Sequence, residues 1–259
     1  MRILALETSA KAVSAAVTED GKVLCSGYQD TGLTHSRTLM PIVEAMLKNT
    51  GLTVQDCDAV AVAAGPGSFT GIRIGVSAAK GLAFAADKPC AAVSTLEAMA
   101  RNVAHMDALV VCAMDARRSQ IYNALFTSEH GRLTRRTPDR AIGLAELAEE
   151  LRSEPLPLVI VGDGAVLCEK ALTESGLLCR LLRIRHPLGR PVIILVLIHI
   201  VADVGVPQGR VQIRPHPLPG EAPPADTVLK PLLQEVQHFV EVAGYPFAHG
   251  LQLPHILSC

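Results

Sequence analysis

The sequence predicts an α/β fold in which helices cover a mixed sheet. Three observations lead to this prediction. The chain opens with apolar runs joined by tight turns, which is typical of an antiparallel meander. Segments with helical periodicity then alternate with short apolar runs. With 259 residues, the chain is long enough to bury a large core in one or two domains.

The amino-terminal segment predicts three strands. The first apolar run, residues 3–6, ends at Glu7, Thr8 and Ser9, and the next two runs flank an Asp20-Gly21 hairpin turn. An acidic residue and two hydroxyls at the end of a first strand stand where nucleotide-binding folds of this pattern hold phosphate and metal. We therefore take Glu7, Thr8 and Ser9 as candidate nucleotide-binding residues.

A glycine-rich turn joins the next strand to a helix. The apolar run 59–64 ends in a Gly-Pro-Gly sequence, and Ser68 or Thr70 then stands at the N-cap of a helix. Backbone N–H groups and the positive end of a helix dipole converge at such a turn, which suits a phosphate or another acidic group. The same pattern also forms turns that bind nothing. The candidate nucleotide-binding residues here are Gly65, Gly67 and Ser68.

Two predicted helices, over residues 36–48 and 71–86, carry a candidate interface. In the second helix a small residue recurs at every fourth position and forms a ridge with almost no side chain. Such a ridge packs on the chain's own sheet or lets another helix lie flat against it. Because the other faces of this helix are also apolar, we interpret both helices as a partner interface. The predicted interface residues are Leu39, Val43, Met46, Gly71, Gly75, Ala79 and Ala83.

A second, related lobe is predicted to begin near Val103. An apolar strand, a turn at Arg117-Arg118 and an alternating strand repeat the opening hairpin. The arginine pair meets phosphate, a partner carboxylate or only water, and these alternatives stay open. A helix over 144–151 and a strand over 158–161 follow, and the glycine turn 162–164 then leads into another helix. We interpret that last turn as structural.

Six motifs follow one another over roughly residues 1–175. They are ETS, THSRTLMPIVEAML, GPGSFTGIRIG, KGLAFA, VSTLEAMA and DARRSQIYNALF. Together they resemble the bacterial TsaB (YeaZ) family, the tRNA threonylcarbamoyladenosine biosynthesis proteins also described as dimerization subunits. This resemblance implies an actin-like, sugar-kinase-like ATPase fold with two related lobes. It also implies pairing with a catalytic paralogue of the TsaD family, which carries threonylcarbamoyl to a tRNA adenosine beside the anticodon, and an ATPase partner of the TsaE family.

The resemblance also bears on catalysis. In the catalytic paralogue, two histidines one helical turn apart can share a metal ion. In this chain Thr95 and Met99 stand at those positions, and a hydroxyl and a thioether are poor replacements for imidazoles. The other early histidines, His35, His105 and His130, stand alone in the sequence. We therefore expect no metal site, no catalytic residue and no required cofactor, while ATP or ADP binding stays open.

Three functions are compared on this basis. The leading interpretation is a non-catalytic scaffold subunit that pairs with the catalytic paralogue, and whether the chain forms a homodimer when alone stays open. The alternative is an ATP-dependent small-molecule kinase or ATPase of the same fold, with Glu7 as its carboxylate. A peptidase is unsupported, because no nucleophile–base pair or metal-ligand set stands out in the sequence.

Composition narrows the setting and the partners. A formal net charge of −1 and the lack of tryptophan disfavour direct tRNA binding, so tRNA is expected to be an indirect partner. The seven cysteines are scattered without a Cys-x-x-Cys pair, which favours a reduced, cytoplasmic setting. The apolar stretch 192–202 is too short to span a bilayer, so no membrane association is expected.

The chain changes character near Gly176. We divide it into a first lobe over 1–102, a partial second lobe over 103–176 and a divergent region over 177–259. Proline becomes frequent in the last region, which also holds six of the nine histidines. A translated shifted frame or a lineage-specific replacement would explain this composition, and either would leave the second lobe incomplete and the end of the chain poorly ordered.

Overall fold

The first sheet is built entirely from the amino-terminal part of the chain. The computed structural model of the protein describes residues 1–177, so the predicted region 177–259 lies outside the described residues except for Leu177. The first sheet has the strand order β3-β2-β1-β4-β5. Its strands are β1 (Arg2–Glu7), β2 (Val13–Glu19), β3 (Lys22–Gln29), β4 (Ala59–Gly65) and β5 (Cys90–Ser94), and its helices are α1 (His35–Thr50), α2 (Phe69–Ala85) and α3 (Thr95–Arg101).

The second sheet follows in the chain and has the order β10-β6-β7-β8, with β9 also paired to β7. Its strands are β6 (Ala108–Arg117), β7 (Gln120–Glu129), β8 (Arg132–Arg135), β9 (Arg140–Gly143) and β10 (Leu158–Val161). The helices of this part are α4 (Leu144–Leu151) and α5 (Ala165–Glu174). The boundary predicted at residue 103 falls between the two sheets and stays a prediction.

The two sheets repeat one topology. In the first, β1 pairs antiparallel with β2 and parallel with β4, and the helix α2 follows β4. In the second, β6 pairs antiparallel with β7 and parallel with β10, and the helix α5 follows β10. Each unit is therefore a meander followed by helix, strand and helix. The predictions of an α/β fold and of two related lobes are confirmed.

The element boundaries differ from the predicted ones by a residue or two. The helix α1 begins at His35 and continues to Thr50, two residues beyond its predicted end. It stops there because Gly51 takes the left-handed conformation, with φ of 68°, and its N–H bonds back to the last helical carbonyls. At α2 the structure selects Ser68 as the N-cap, since its hydroxyl accepts the N–H of Gly71.

The helix α3 joins the two lobes through a shared core. Its residues Leu96, Ala98 and Met99 are buried in a single apolar cluster that takes side chains from both sheets. Ile3 lies on the first-lobe side of that cluster and Phe126 on the second-lobe side. The last helix of the first lobe is therefore also part of the second lobe's core.

A network of charged side chains lies at the edge of this contact between the two lobes. Arg135 donates to Asp139 at 2.6 Å and to Glu97 at 3.1 Å, and Asp139 also accepts the hydroxyl of Ser94 at 2.6 Å. The guanidinium carbon of Arg135 lies 4.6 Å from the centroid of the Phe126 ring. Because Ser94 and Glu97 belong to the first lobe and Arg135 to the second, the network ties the lobes together.

Removing the centre of this network should weaken the junction. We expect Arg135→Ala to lower the free energy of unfolding by about 1–2 kcal/mol, because two charged hydrogen bonds and a ring contact are lost at a half-buried site. Urea titration followed by circular dichroism measures the change. Arg152→Ala, which breaks an exposed pair with Glu149, should change stability by less than about 0.5 kcal/mol. Equal effects of the two substitutions would contradict this role.

Candidate functional site

The predicted nucleotide-binding residues come from two neighbouring strands. Glu7 ends β1, and Thr8 and Ser9 follow it, while the glycine turn 65–67 follows β4. Because β1 and β4 are parallel neighbours, their carboxyl ends lie side by side. The backbone N–H of Ser68 donates to the carbonyl oxygen of Ser9 at 2.7 Å. The structure therefore brings the two predicted groups together.

Glu7 is an acidic group enclosed by this junction. Its side chain is buried, and one carboxyl oxygen accepts both the backbone N–H and the hydroxyl of Ser9. The other oxygen is shielded from water and has no hydrogen-bond partner among the described residues. Burial raises the pKa of Glu7 from 4.5 to about 7, and the bonds from Ser9 offset part of that rise. The carboxyl is consequently poised between its neutral and charged forms near neutral pH.

The glycines of the turn and of α2 permit close packing on the end of β1. A Cβ atom on Gly67 would meet the carbonyl oxygen of Ser9 below 3.0 Å. On Gly71 it would meet the carbonyl oxygen of Thr8 below that limit, and on Gly75 the Thr8 hydroxyl. At each of these glycines, atoms of Thr8 or Ser9 occupy the space that a side chain would need, so a larger residue does not fit.

This packing corrects the predicted partner interface at the level of residues. All seven predicted residues are buried inside the first lobe, because they line the sides of α1 and α2 that face the sheet and the β1–β2 loop. They are Leu39, Val43, Met46, Gly71, Gly75, Ala79 and Ala83. The small ridge is used internally, so these atoms are not a free contact surface. A role of the two helices in pairing stays a prediction.

The polar groups at the start of α2 are engaged within the chain. The Ser68 hydroxyl caps the N–H of Gly71, and the Ser68 N–H is bound by Ser9. The N–H of Ser9 donates to the Glu7 carboxyl and is therefore not left open for an anion. Nucleotide binding at these six predicted residues stays a prediction.

The positions that correspond to the paralogue's histidines lie in the core. Thr95 and Met99 are both buried, and the hydroxyl of Thr95 has no hydrogen-bond partner within residues 1–177. Over the same part of the chain, no group of three His, Cys, Asp or Glu side chains is placed to hold a metal ion. His35 does not stand alone in the fold, because its Nε2 lies 2.8 Å from the carbonyl oxygen of Ala10. His105 and His130 are exposed.

The second lobe has a matching junction. The N–H of Arg117 donates to Asp115 at 2.7 Å, and the N–H of Asp115 donates to Asp163 in the glycine turn at 3.2 Å. A Cβ atom on Gly162 would overlap the carbonyl oxygen of Ala113. Close packing therefore accounts for the glycine turn, as interpreted from the sequence. The role of the exposed pair Arg117-Arg118 stays open.

Four exposed apolar residues on or beside α1 and α2 were not predicted from the sequence. On the face of α2 opposite the small ridge, Phe69 and Phe84 are 47% and 49% exposed. Met40 on α1, which packs beside α2, and Leu33 just before α1 are exposed to a similar degree. We call Leu33, Met40, Phe69 and Phe84 the outer face. The sequence showed that α2 is apolar on all sides. It did not show which side is buried and which side faces solvent.

In residues 1–177, every helix is too short or too polar to cross a membrane.

Comparison with known proteins identifies the family. A family model described as TsaD, tRNA N6-adenosine threonylcarbamoyltransferase, matches residues 29–171. The tRNA threonylcarbamoyladenosine biosynthesis protein TsaB of Bacillus subtilis (strain 168) is 36% identical over 174 residues, which are 67% of this chain and 76% of that protein. The protein of the same name from Escherichia coli (strain K12) is 34% identical over 184 residues, which are 70% and 79% of the two chains.

Solved structures agree with this assignment. A crystal structure of an uncharacterized Pseudomonas aeruginosa protein with similarity to peptidase YEAZ superposes with a TM-score of 0.65 at 27% identity. YeaZ from Pseudomonas aeruginosa superposes with a TM-score of 0.63 at 26% identity. Each match covers 79% of this chain and 93% of the other chain. The chain therefore has the fold of these YeaZ structures and belongs to the TsaB (YeaZ) family, as its motifs predict.

Proposed function

We propose that this chain acts in tRNA threonylcarbamoyladenosine biosynthesis as a non-catalytic scaffold subunit. It pairs with the catalytic paralogue of the TsaD family, which modifies the tRNA adenosine beside the anticodon, and an ATPase partner of the TsaE family completes the complex. The TsaB family membership supports the pathway. The observation that carries the pairing is the outer face, since half of the large apolar side chains exposed in the described residues lie on or beside α1 and α2.

The environment of α3 supports a non-catalytic role. Thr95 and Met99 are buried, and Met99 belongs to the apolar core shared by the two lobes, so neither a substrate nor a metal-bound water has access to these side chains. Within residues 1–177 the Thr95 hydroxyl has no hydrogen-bond partner that could take its proton, and no group of three His, Cys, Asp or Glu side chains is placed to hold a metal ion. Catalysis consequently belongs to the paralogue, and this subunit requires no cofactor of its own.

The contact between the end of β1 and the glycine turn 65–67 favours at most weak ATP or ADP binding. A phosphate entering the β1–β2 loop would compete with the Glu7 carboxyl for the N–H of Ser9, and a charged Glu7 would repel it. This weakens the alternative of an active kinase or ATPase. The formal charge of −1 favours tRNA contact through the partner rather than directly, and we place the complex in the cytoplasm.

Pairing is tested by a charge placed on the outer face. We expect Phe84→Asp to weaken binding to the catalytic paralogue of the same organism by about 100-fold or more, because pairing would bury an uncompensated carboxylate. Isothermal titration calorimetry gives the affinity and light scattering after gel filtration gives the stoichiometry. The matched control is Val166→Asp on α5, which changes another exposed apolar residue and should bind normally.

Two results would contradict the proposed function. One is the absence of any complex between the unaltered chain and the paralogue. The other is threonylcarbamoyl transfer to tRNA, or sustained ATP turnover, by the purified chain without a companion protein. Sustained turnover would instead support the kinase or ATPase alternative.

A further inference from the structure

We propose that the turn between β6 and β7 binds backbone phosphates of the tRNA that the catalytic paralogue holds. The proposal rests on the pairing function above and adds a direct contact that the net charge of the whole chain does not reveal. It concerns Arg117 and Arg118, which lie at the exposed tip of this hairpin in the second lobe.

The backbone of this turn has a conformation that arginine rarely adopts. Arg117, Arg118 and Ser119 all have positive φ, at 66°, 51° and 59°. Two-residue hairpin turns with positive φ favour asparagine and glycine, because a longer side chain is crowded there. Residues that keep such a conformation cluster at sites where their side chains are used. The sequence therefore retains two arginines where stability alone favours other residues.

The two guanidinium groups have no partner of opposite charge within residues 1–177. Five other basic residues of the second lobe do form ion pairs with acidic side chains: Arg135, Arg136, Arg140, Arg152 and Lys170. The carboxylate of Asp115, which is close in the sequence, accepts the backbone N–H of Arg117 at 2.7 Å. Two adjacent unpaired arginines give the tip a local positive charge, although the formal net charge of the chain is −1.

The side chains at the tip fit an RNA backbone better than a protein surface. Arg117, Arg118, Ser119 and Gln120 are exposed, and each of these side chains carries a hydrogen-bond donor. Arginine, serine and glutamine are among the residues that donate to phosphate oxygens in nucleic-acid complexes. A protein contact would instead be centred on large apolar or aromatic side chains, and residues 115–120 contain none.

The base of the turn is fixed before any ligand arrives. The N–H of Asp115 donates to Asp163 at 3.2 Å, and the N–H of Leu144 donates to the carbonyl oxygen of Ser119 at 3.4 Å. A backbone that is already ordered loses less entropy on binding. Two phosphate contacts are too few to hold tRNA on a chain without a net positive charge, so this contact adds to those of the paralogue.

The test measures the affinity of the assembled complex for labelled tRNA by fluorescence anisotropy at several salt concentrations. Arg117→Ala or Arg118→Ala should weaken binding by about 5-fold at about 0.1 M salt and reduce the slope of log K against log salt by about 1. Lysine at either position should retain most of the affinity, because an ammonium also binds phosphate. Arg152→Ala removes the same charge elsewhere on the second lobe and should change neither value.

A stability measurement separates this role from a purely structural one. Arg118→Asn combined with Ser119→Gly introduces the residues that the turn geometry favours. The midpoint of thermal unfolding should therefore rise while the affinity of the complex for tRNA falls. A fall in both values would assign Arg118 to the stability of the hairpin and contradict the proposal.

The remaining outcomes distinguish this contact from the pairing function. Unchanged tRNA affinity and salt slope in Arg117→Ala and Arg118→Ala would overturn the contact and leave pairing standing. Weaker binding of these variants to the paralogue without tRNA would mean that the turn meets a protein carboxylate, and the assignment to phosphate is wrong. Loss of ATP binding with unchanged tRNA affinity would assign the turn to a free nucleotide and overturn the contact with RNA. Absence of any complex between the unaltered chain and the paralogue would overturn both proposals.

Discussion

Gly71→Ala is expected to destabilise the first lobe by about 3 kcal/mol or more. A single methyl group at this position would stand well below 3.0 Å from the carbonyl oxygen of Thr8. The obstacle is backbone, which cannot rotate away as a flexible side chain does. The β1–β2 loop must therefore move, and the hydrogen bond between Ser68 and Ser9 moves with it. Denaturant titration monitored by circular dichroism measures the loss.

The same helix supplies a matched control. Gly81 is exposed, and a Cβ atom there would have no neighbour within 4 Å. Gly81→Ala should consequently raise the free energy of unfolding by about 0.5–1 kcal/mol, because alanine loses less backbone entropy in a helix than glycine does. One substitution at two positions of one helix is thus expected to act with opposite signs. Destabilisation of similar size at both sites would show that close packing is not the cause.

This contrast also decides how pairing is tested. A side chain at position 75 would overlap Thr8, and Ala79 is fully buried. Gly75→Leu and Ala79→Leu would therefore disturb the fold itself, and a loss of pairing in these variants would not identify an interface. Substitutions on the outer face, such as Phe84→Asp, change the surface and leave the small ridge intact.

Glu7→Gln is expected to stabilise the protein above pH 7 and to have little effect below pH 4.5. The pKa of Glu7 is raised in the folded state from 4.5 to about 7 by burial, so folding disfavours its charged form. The penalty is absent below pH 4.5, grows between pH 4.5 and 7, and is constant above pH 7. At about 1.4 kcal/mol per pKa unit, it reaches about 3 kcal/mol. Glutamine stays neutral and its carbonyl oxygen can accept the same two bonds from Ser9.

The measurement is the free energy of unfolding at pH 5 and at pH 8. The advantage of Glu7→Gln over the unaltered chain should be about 2 kcal/mol larger at pH 8 than at pH 5. Glu44→Gln on the exposed side of α1 should change stability by less than about 0.5 kcal/mol at both values. A constant difference across this range would mean that Glu7 does not change its ionisation on folding as proposed.

Local patterns were sufficient to predict most elements of the fold. The Asp20-Gly21 turn, the polar end of β1 and the four-residue spacing of small side chains in α2 are all local signals. The helix α4 and the strand β10 occur with the predicted bounds. The family's motifs, which extend over most of the described chain, supplied the repeated lobe that periodicity alone did not establish.

The candidate site was predicted in part. Glu7, Ser9 and the glycine turn do converge, as their positions at the carboxyl ends of strands suggest. Their arrangement was not predictable, because the bond from Ser9 to Glu7 and the overlap of Gly71 with Thr8 depend on distances across the sheet. The network around Arg135 was missed for the same reason, since its members lie in different lobes.

The sequence by itself determined the α/β class, the order of strands and helices, and the family. It also showed that α3 lacks the two histidines. Each of these follows from residue identities and from spacing within short segments. Only the tertiary structure decided which side of α2 meets solvent. The period of a helix fixes which residues share a face, but a ridge of small residues fits a neighbouring backbone of its own chain as well as a partner's. Here the β1–β2 loop packs on the ridge at Gly71 and Gly75, so the side of α2 that carries the exposed Phe69 and Phe84 is the one that meets solvent.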